Sequence, residues 1–205
     1  MKIAKKEQIL QEIRKHKQGW AFAATDFIKD FNRREIDESL SYLTESGDIR
    51  RVIRGIYDLP IYSSILGRHT APDIHQVARA LARKFNWAIY PDGDTALNYL
   101  DLSTQMVAKT IYLSDGPSKT YQIGNTTLEF KHISKKEMTQ NSENTTLVIQ
   151  AIRAMGEKQM TPDFIKQLSG KFSANEWAKI ASESNHTTTW IYDIIKQAKA
   201  ISEQE

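Results

Sequence analysis

The sequence predicts an α+β chain with two parts. A small helical module closed by a β-hairpin comes first. A C-terminal part follows, in which helices back an antiparallel sheet and then run on to the end. Three observations predict this. First, the stretch Gly47-Asp48-Ile49-Arg50-Arg51-Val52-Ile53-Arg54-Gly55-Ile56-Tyr57-Asp58-Leu59-Pro60 holds two β-type runs, 49–53 and 56–59, on either side of Arg54-Gly55. It follows a helical stretch that begins Asn32-Arg33-Arg34. Second, strand-like runs at 109–113, 120–123 and 127–132 are separated by Asp115-Gly116-Pro117 and Gly124-Asn125. Third, helical stretches with apolar stripes fill 145–155, 162–168, 174–182 and 188–201.

Residues 5–15 should form the first helix, with Ile9, Leu10 and Ile13 on one face. Gly19 follows it as a stop signal. Trp20-Ala21-Phe22 reads as a short strand, and Thr25-Asp26 as the cap of a short helix at 26–31. Asn32 then caps a helix over 33–45, whose Ile36, Leu40 and Leu43 make a buried stripe. Arg33, Arg34, Asp37, Glu38 and Ser41 lie off that stripe, and Gly47 closes the helix. A short helix followed by a basic hairpin is the sequence form of a winged helix-turn-helix, here over 1–60.

Residues 61–72 read as a connector, with Ser63-Ser64, Gly67 and Ala71-Pro72 as loop signals. The C-terminal α+β domain then covers 73–205. It opens with a helix at 73–85, striped by Ile74, Val77, Ala78 and Leu81, followed by a strand at 87–90. Pro91-Asp92-Gly93 turns into a helix at 94–101, and the three strand-like runs come next. Residues 135–144 are polar and interrupt the pattern before the final helices.

Composition narrows the chemistry. The chain has 205 residues, room for one large domain or two small ones. It has no cysteine, so disulfides, thiolate zinc sites and cysteine nucleophiles are excluded. No apolar run is long enough to cross a bilayer. The start, Met1-Lys2-Ile3-Ala4-Lys5-Lys6, is charged and unlike a signal peptide, so the expected location is the cytoplasm. Net charge is only +3, so any nucleic-acid binding must come from local clustering.

That clustering falls in the first module. Arg50, Arg51 and Arg54 sit within five positions with no acid between them. Guanidinium groups on a hairpin can hold phosphates while a helix enters a groove. Asn32, Arg33, Arg34 and Ser41 of the preceding helix complete the candidate DNA-binding set. Arginine matches guanine through two donors, and Asp37 or Glu38 can accept from cytosine. The bland account of the same helix is a solvated face of mixed charge. The five histidines have no partners at metal-ligand spacing. Asp92-Gly93-Asp94 could hold a divalent cation, but it lacks a third carboxylate and a phosphate-cradling loop, so a turn and helix cap is the simpler account. The sequence therefore predicts no catalytic residues, no metal site and no cofactor.

The chain resembles the AbiEi-type antitoxins of type IV, abortive-infection toxin–antitoxin systems. One carrying segment is the run 47–60. The other is Tyr90-Pro91-Asp92-Gly93-Asp94-Thr95-Ala96-Leu97-Asn98 with Leu102-Ser103-Thr104-Gln105 and Ile111-Tyr112-Leu113-Ser114-Asp115-Gly116. Together they cover roughly residues 1–135, and no diagnostic motif follows residue 140. The resemblance implies a cytoplasmic autoregulator whose winged helix binds inverted repeats in double-stranded DNA at its own promoter, with two copies per operator. It also implies that the C-terminal domain counters a nucleotidyltransferase-like toxin, through residues the sequence does not identify. Two other readings stay open. One is a stand-alone winged-helix regulator with a ligand-sensing or dimerising C-terminal domain. The other is a scaffold whose winged helix binds protein.

Overall fold

The structure is a computed structural model, described for residues 5–103, 105, 109–138 and 141–204. Residues 1–4, and with them most of the charged N-terminal start, lie outside the described residues, as does Thr104. The fold is mixed α+β. Contacts divide the chain into two compact units, Met1–Trp87 with Tyr121–Leu128 and Ala88–Thr120 with Glu129–Glu205.

The first unit begins with α1 (Lys5–Arg14) and the short strand β1 (Ala21–Phe22). The expected helix at 26–31 is instead a 3-10 turn over Ala24–Phe27. Asp26 explains the shift, because its carboxylate accepts from the Ala23 amide at 2.9 Å and the turn starts two residues earlier. Helix α2 (Arg33–Glu45) has the predicted bounds. Its Asn32 side chain accepts from the Glu35 amide, and the Glu35 carboxylate reaches back to the Asn32 amide, a capping box. Ile36, Leu40 and Leu43 bury against Ile9, Ile13, Phe22 and Phe27 in one core.

The hairpin follows as β2 (Arg50–Ile53) and β3 (Ile56–Asp58), with β1 pairing antiparallel to β3, so the sheet order is β1-β3-β2. Gly55, at φ +75°, supplies the left-handed backbone that the turn needs. The stretch 61–72 is not a plain connector. It contains a second small hairpin, β4 (Tyr62–Ser63) and β5 (Arg68–His69), with Ile65 and Leu66 exposed near its tip. Helix α3 (Ile74–Phe85) starts at the Asp73 cap and belongs to the first unit, whereas the sequence placed it at the head of the second domain. Arg83 ties it down, donating to Asp26 at 2.9 Å and to the Ala21 carbonyl at 2.8 Å.

After α3 come β6 (Ile89–Pro91), α4 (Asp94–Tyr99), β7 (Lys109–Ser114), β8 (Lys119–Ile123) and β9 (Thr126–His132). They build a four-stranded sheet in the order β6-β7-β9-β8, with β6 antiparallel to β7. The polar stretch 135–144 holds a short helix, α5 (Lys135–Met138), and the first turn of α6 (Glu143–Met155). Helices α7 (Pro162–Ser169), α8 (Ala174–Glu183) and α9 (Thr189–Ser202) complete the second unit. Its core joins Leu100, Val148, Ile152, Leu168, Trp177 and Ile195. Trp177 is fully buried, and its indole N–H donates to the Ser169 carbonyl at 2.8 Å. Among the described residues no helix is long and apolar enough to cross a membrane.

Candidate nucleic-acid interface

The seven residues singled out from sequence have unequal positions. Asn32 is occupied as the α2 cap. Arg33 and Arg34 extend into solvent, with side-chain exposures of 65% and 88%. Each donates to an acid one turn later, Arg33 to Asp37 at 2.8 Å and Arg34 to Glu38 at 2.7 Å. The hydrogen bond to Asp37, and then its charge, raises the Arg33 pKa above its ordinary value, and Glu38 does the same for Arg34. Solvent screens exposed pairs of this kind, so a phosphate could exchange for either carboxylate at little cost. Ser41 is exposed and bonds Glu45 at 3.3 Å.

The hairpin arginines divide by strand alternation. Arg50 stands opposite Asp58 and Arg51 opposite Tyr57. Arg50 donates twice to Asp58, at 3.0 and 2.5 Å, and once to the Thr70 carbonyl at 2.7 Å. Asp58 is only 1% exposed, so Arg50 compensates a buried charge and is committed within the protein. Arg51 is exposed on the strand, and Arg54 is exposed at the turn. Neither has a hydrogen-bond or ion-pair partner among the described residues. Of the seven, they are the cations whose full donor capacity faces solvent.

A small cavity of about 50 Å³ brings the N-terminal turn of α2 to the hairpin turn, with Arg33 and Asp37 on one side and Gly55 and Tyr57 on the other. Lys84 of α3 lines it too and donates to the Gly55 carbonyl at 3.5 Å. Thr25 also lines it, and its buried hydroxyl lacks a hydrogen-bond partner among the described residues. Arg33, Lys84 and the turn that carries Arg54 thus share one neighbourhood. Lys84 was missed from sequence because α3 was assigned to the other domain. Its signal was the basic pair Arg83-Lys84 lying off the apolar stripe of that helix. Chemically the patch offers planar donors for phosphate oxygens beside a helix N-terminal turn. Asp37 and Glu38 oppose an anion directly over that helix face.

The other candidates resolve simply. Asp92 pairs with Lys131 at 3.2 Å, and Asp94 begins α4. No group of three or more metal-ligating side chains occurs among the described residues.

A family model described as "Family of unknown function (DUF6088)" matches residues 8–175. Comparison with curated proteins gives no significant match. Among solved structures, the crystal structure of the RV2827C protein from Mycobacterium tuberculosis is similar with a TM-score of 0.44 and 10% identity, covering 100% of this chain and 83% of that one.

Proposed function

The chain belongs to the DUF6088 family, and we propose that its first unit is a winged helix that binds double-stranded DNA and represses transcription. The observation that carries the proposal is the hairpin with two exposed arginines, Arg51 and Arg54, that have no partner among the described residues, set beside the Arg33 end of α2. The order α1, β1, 3-10 turn, α2, β2, β3, with β1 against β3, supports the winged-helix reading. The 3-10 turn stands where a helix-turn-helix has its first helix, and α2 takes the recognition position. Arg51 and Arg54 hold phosphates, while Arg33, Arg34 and Ser41 approach base edges or backbone. Arg50 supports the hairpin from within.

The resemblance to AbiEi-type antitoxins extends the proposal. The repressed operon is the protein's own, two copies occupy inverted repeats, and the second unit counters a nucleotidyltransferase-like toxin. Co-expression with the product of the adjacent gene tests that extension. Restored growth is expected, and continued arrest would end it.

The DNA reading is tested by titrating the full chain against its own upstream DNA and a scrambled duplex across a salt series. Tight, selective binding with a steep salt slope is expected. Arg51→Ala with Arg54→Ala should weaken binding to both duplexes and reduce the slope by about 2, one per lost phosphate contact. Unchanged affinity and slope in that double variant would remove the hairpin from the mechanism.

A further inference from the structure

The second unit contains a cleft of about 350 Å³, a volume in the range of small-molecule sites. Helix α6 presents one face to it, since Thr146, Ile149, Gln150 and Arg153 stand at i, i+3, i+4 and i+7. Tyr90 of β6, Leu113 of β7 and Ile133 just past β9 add apolar surface. His186, Thr187 and Thr188, which lead into α9, add polar groups.

The charge of this lining is one-sided. Among the described residues no aspartate or glutamate lines the cleft. Arg153 is exposed and has no hydrogen-bond or ion-pair partner among the described residues, and the same holds for His186. Several lysines of this unit pair with acids, as in Lys109 with Glu129, Lys131 with Asp92 and Lys196 with Asp193, and none of these pairs lines the cleft. Arg153 is also the one arginine after residue 83, where every other formal cation is lysine. Arginine differs from lysine in offering a planar fork that matches carboxylate and phosphate. Thr188 caps the fourteen-residue helix α9 without a side-chain hydrogen bond, so first-turn N–H donors remain at the cleft wall. Burial, and after it the charges of Glu143 and Glu183, raise the Tyr90 pKa, so its phenol stays neutral and adds no negative charge. Glu183 is itself occupied by the Ser142 amide and the Ser142 and Thr145 hydroxyls.

We infer that this cleft binds a small organic anion, with a phosphate-monoester or carboxylate group on Arg153 and the His186–Thr188 segment, and an apolar body on Leu113, Ile133 and Ile149. The site stands independently of DNA binding by the first unit.

Calorimetry and thermal shift on the full chain test it with four probes: 1-naphthyl phosphate, 1-naphthoate, neutral 1-naphthol and inorganic phosphate. At least one naphthyl anion should bind and raise the Tm, and comparing the two identifies the preferred oxyacid. The neutral and the purely inorganic probes should bind at least about tenfold more weakly, since each lacks half of the recognition. Arg153→Gln should lower anion affinity by about tenfold or more, the effect of one charge-assisted hydrogen-bonding group. The Tm of free R153Q should stay at the wild-type value, because the side chain is exposed and unpaired. His186→Asn should weaken the same anion without affecting 1-naphthol. No binding of either anion at millimolar concentration overturns the site. So does equal anion affinity in R153Q and wild type, or 1-naphthol binding as well as the anions.

Discussion

Arg50 and Arg51 are chain neighbours with opposite surroundings, and a period of two explains why. Successive side chains in a strand point to opposite faces, so one of the pair must turn toward the protein and the other away. That much is legible in sequence. Which one turns inward depends on the register with β3, which sets Arg50 across from Asp58. Composition counts three basic residues in the hairpin, and the structure leaves two of them for a partner. Arg50→Ala strips the partner from a carboxylate that is 1% exposed and should cost about 3 kcal/mol, the lower end for a broken buried pair because Arg50 retains some exposure. Arg51→Ala should change stability by less than about 0.5 kcal/mol. Urea unfolding of the two variants checks this contrast. Equal stability would mean that Asp58 is compensated without Arg50.

Caps show which local structure a sequence can announce. Asn32 and Glu35 are three residues apart and cap α2 reciprocally, so the start of that helix was readable from a short window. The start of α6 was placed two residues late, at 145 instead of Glu143. Its N-terminal turn is held by Glu183, 41 residues away, which accepts from the Ser142 amide at 2.9 Å and from the Ser142 and Thr145 hydroxyls at 2.6 Å each. No local pattern reveals that partner, which is why 135–144 read as an uninterrupted polar break. Asn32→Ala should cost about 1 kcal/mol, and Glu183→Ala about 1–2 kcal/mol. Glu183 also carries a pH signature. Burial opposes its charge, but the Ser142 and Thr145 hydroxyls, the Ser142 amide and Lys179 together outweigh burial and hold its pKa below the ordinary carboxylate value. A depressed folded pKa adds stability above the unfolded value and loses it as pH falls through the folded value. Wild type and Glu183→Gln should therefore differ most near neutrality and converge in acid. A difference in Tm that is constant from neutral pH into acid would assign the effect to shape rather than charge.

Across the whole molecule, apolar stripes were legible and their partners were not. Ile36, Leu40 and Leu43 announced a buried helix face, as did Trp177 and Ile180, because periodicity is local. The allegiance of α3 was invisible, since it is decided by Arg83 reaching Asp26 and Ala21, some sixty residues back. The hairpin at Tyr62–Ser63 and Arg68–His69 was equally hidden, because its strands are too short to show alternation. Among the described residues, the buried cluster that contains Leu40 shares no residue with the one that contains Trp177. Each should then respond mainly to its own damage. Leu40→Ala should cost about 2–5 kcal/mol and Trp177→Ala about 3–5 kcal/mol, for lost burial and the cavity left behind. Native-state hydrogen exchange separates the effects. The first substitution should speed exchange of amides in α1 and α2, and the second those in α6 to α9, with the other set nearly unchanged. If either substitution accelerates both sets alike, the chain unfolds as one cooperative body. The stability of the basic hairpin would then depend on the helical core of the second unit as much as on its own.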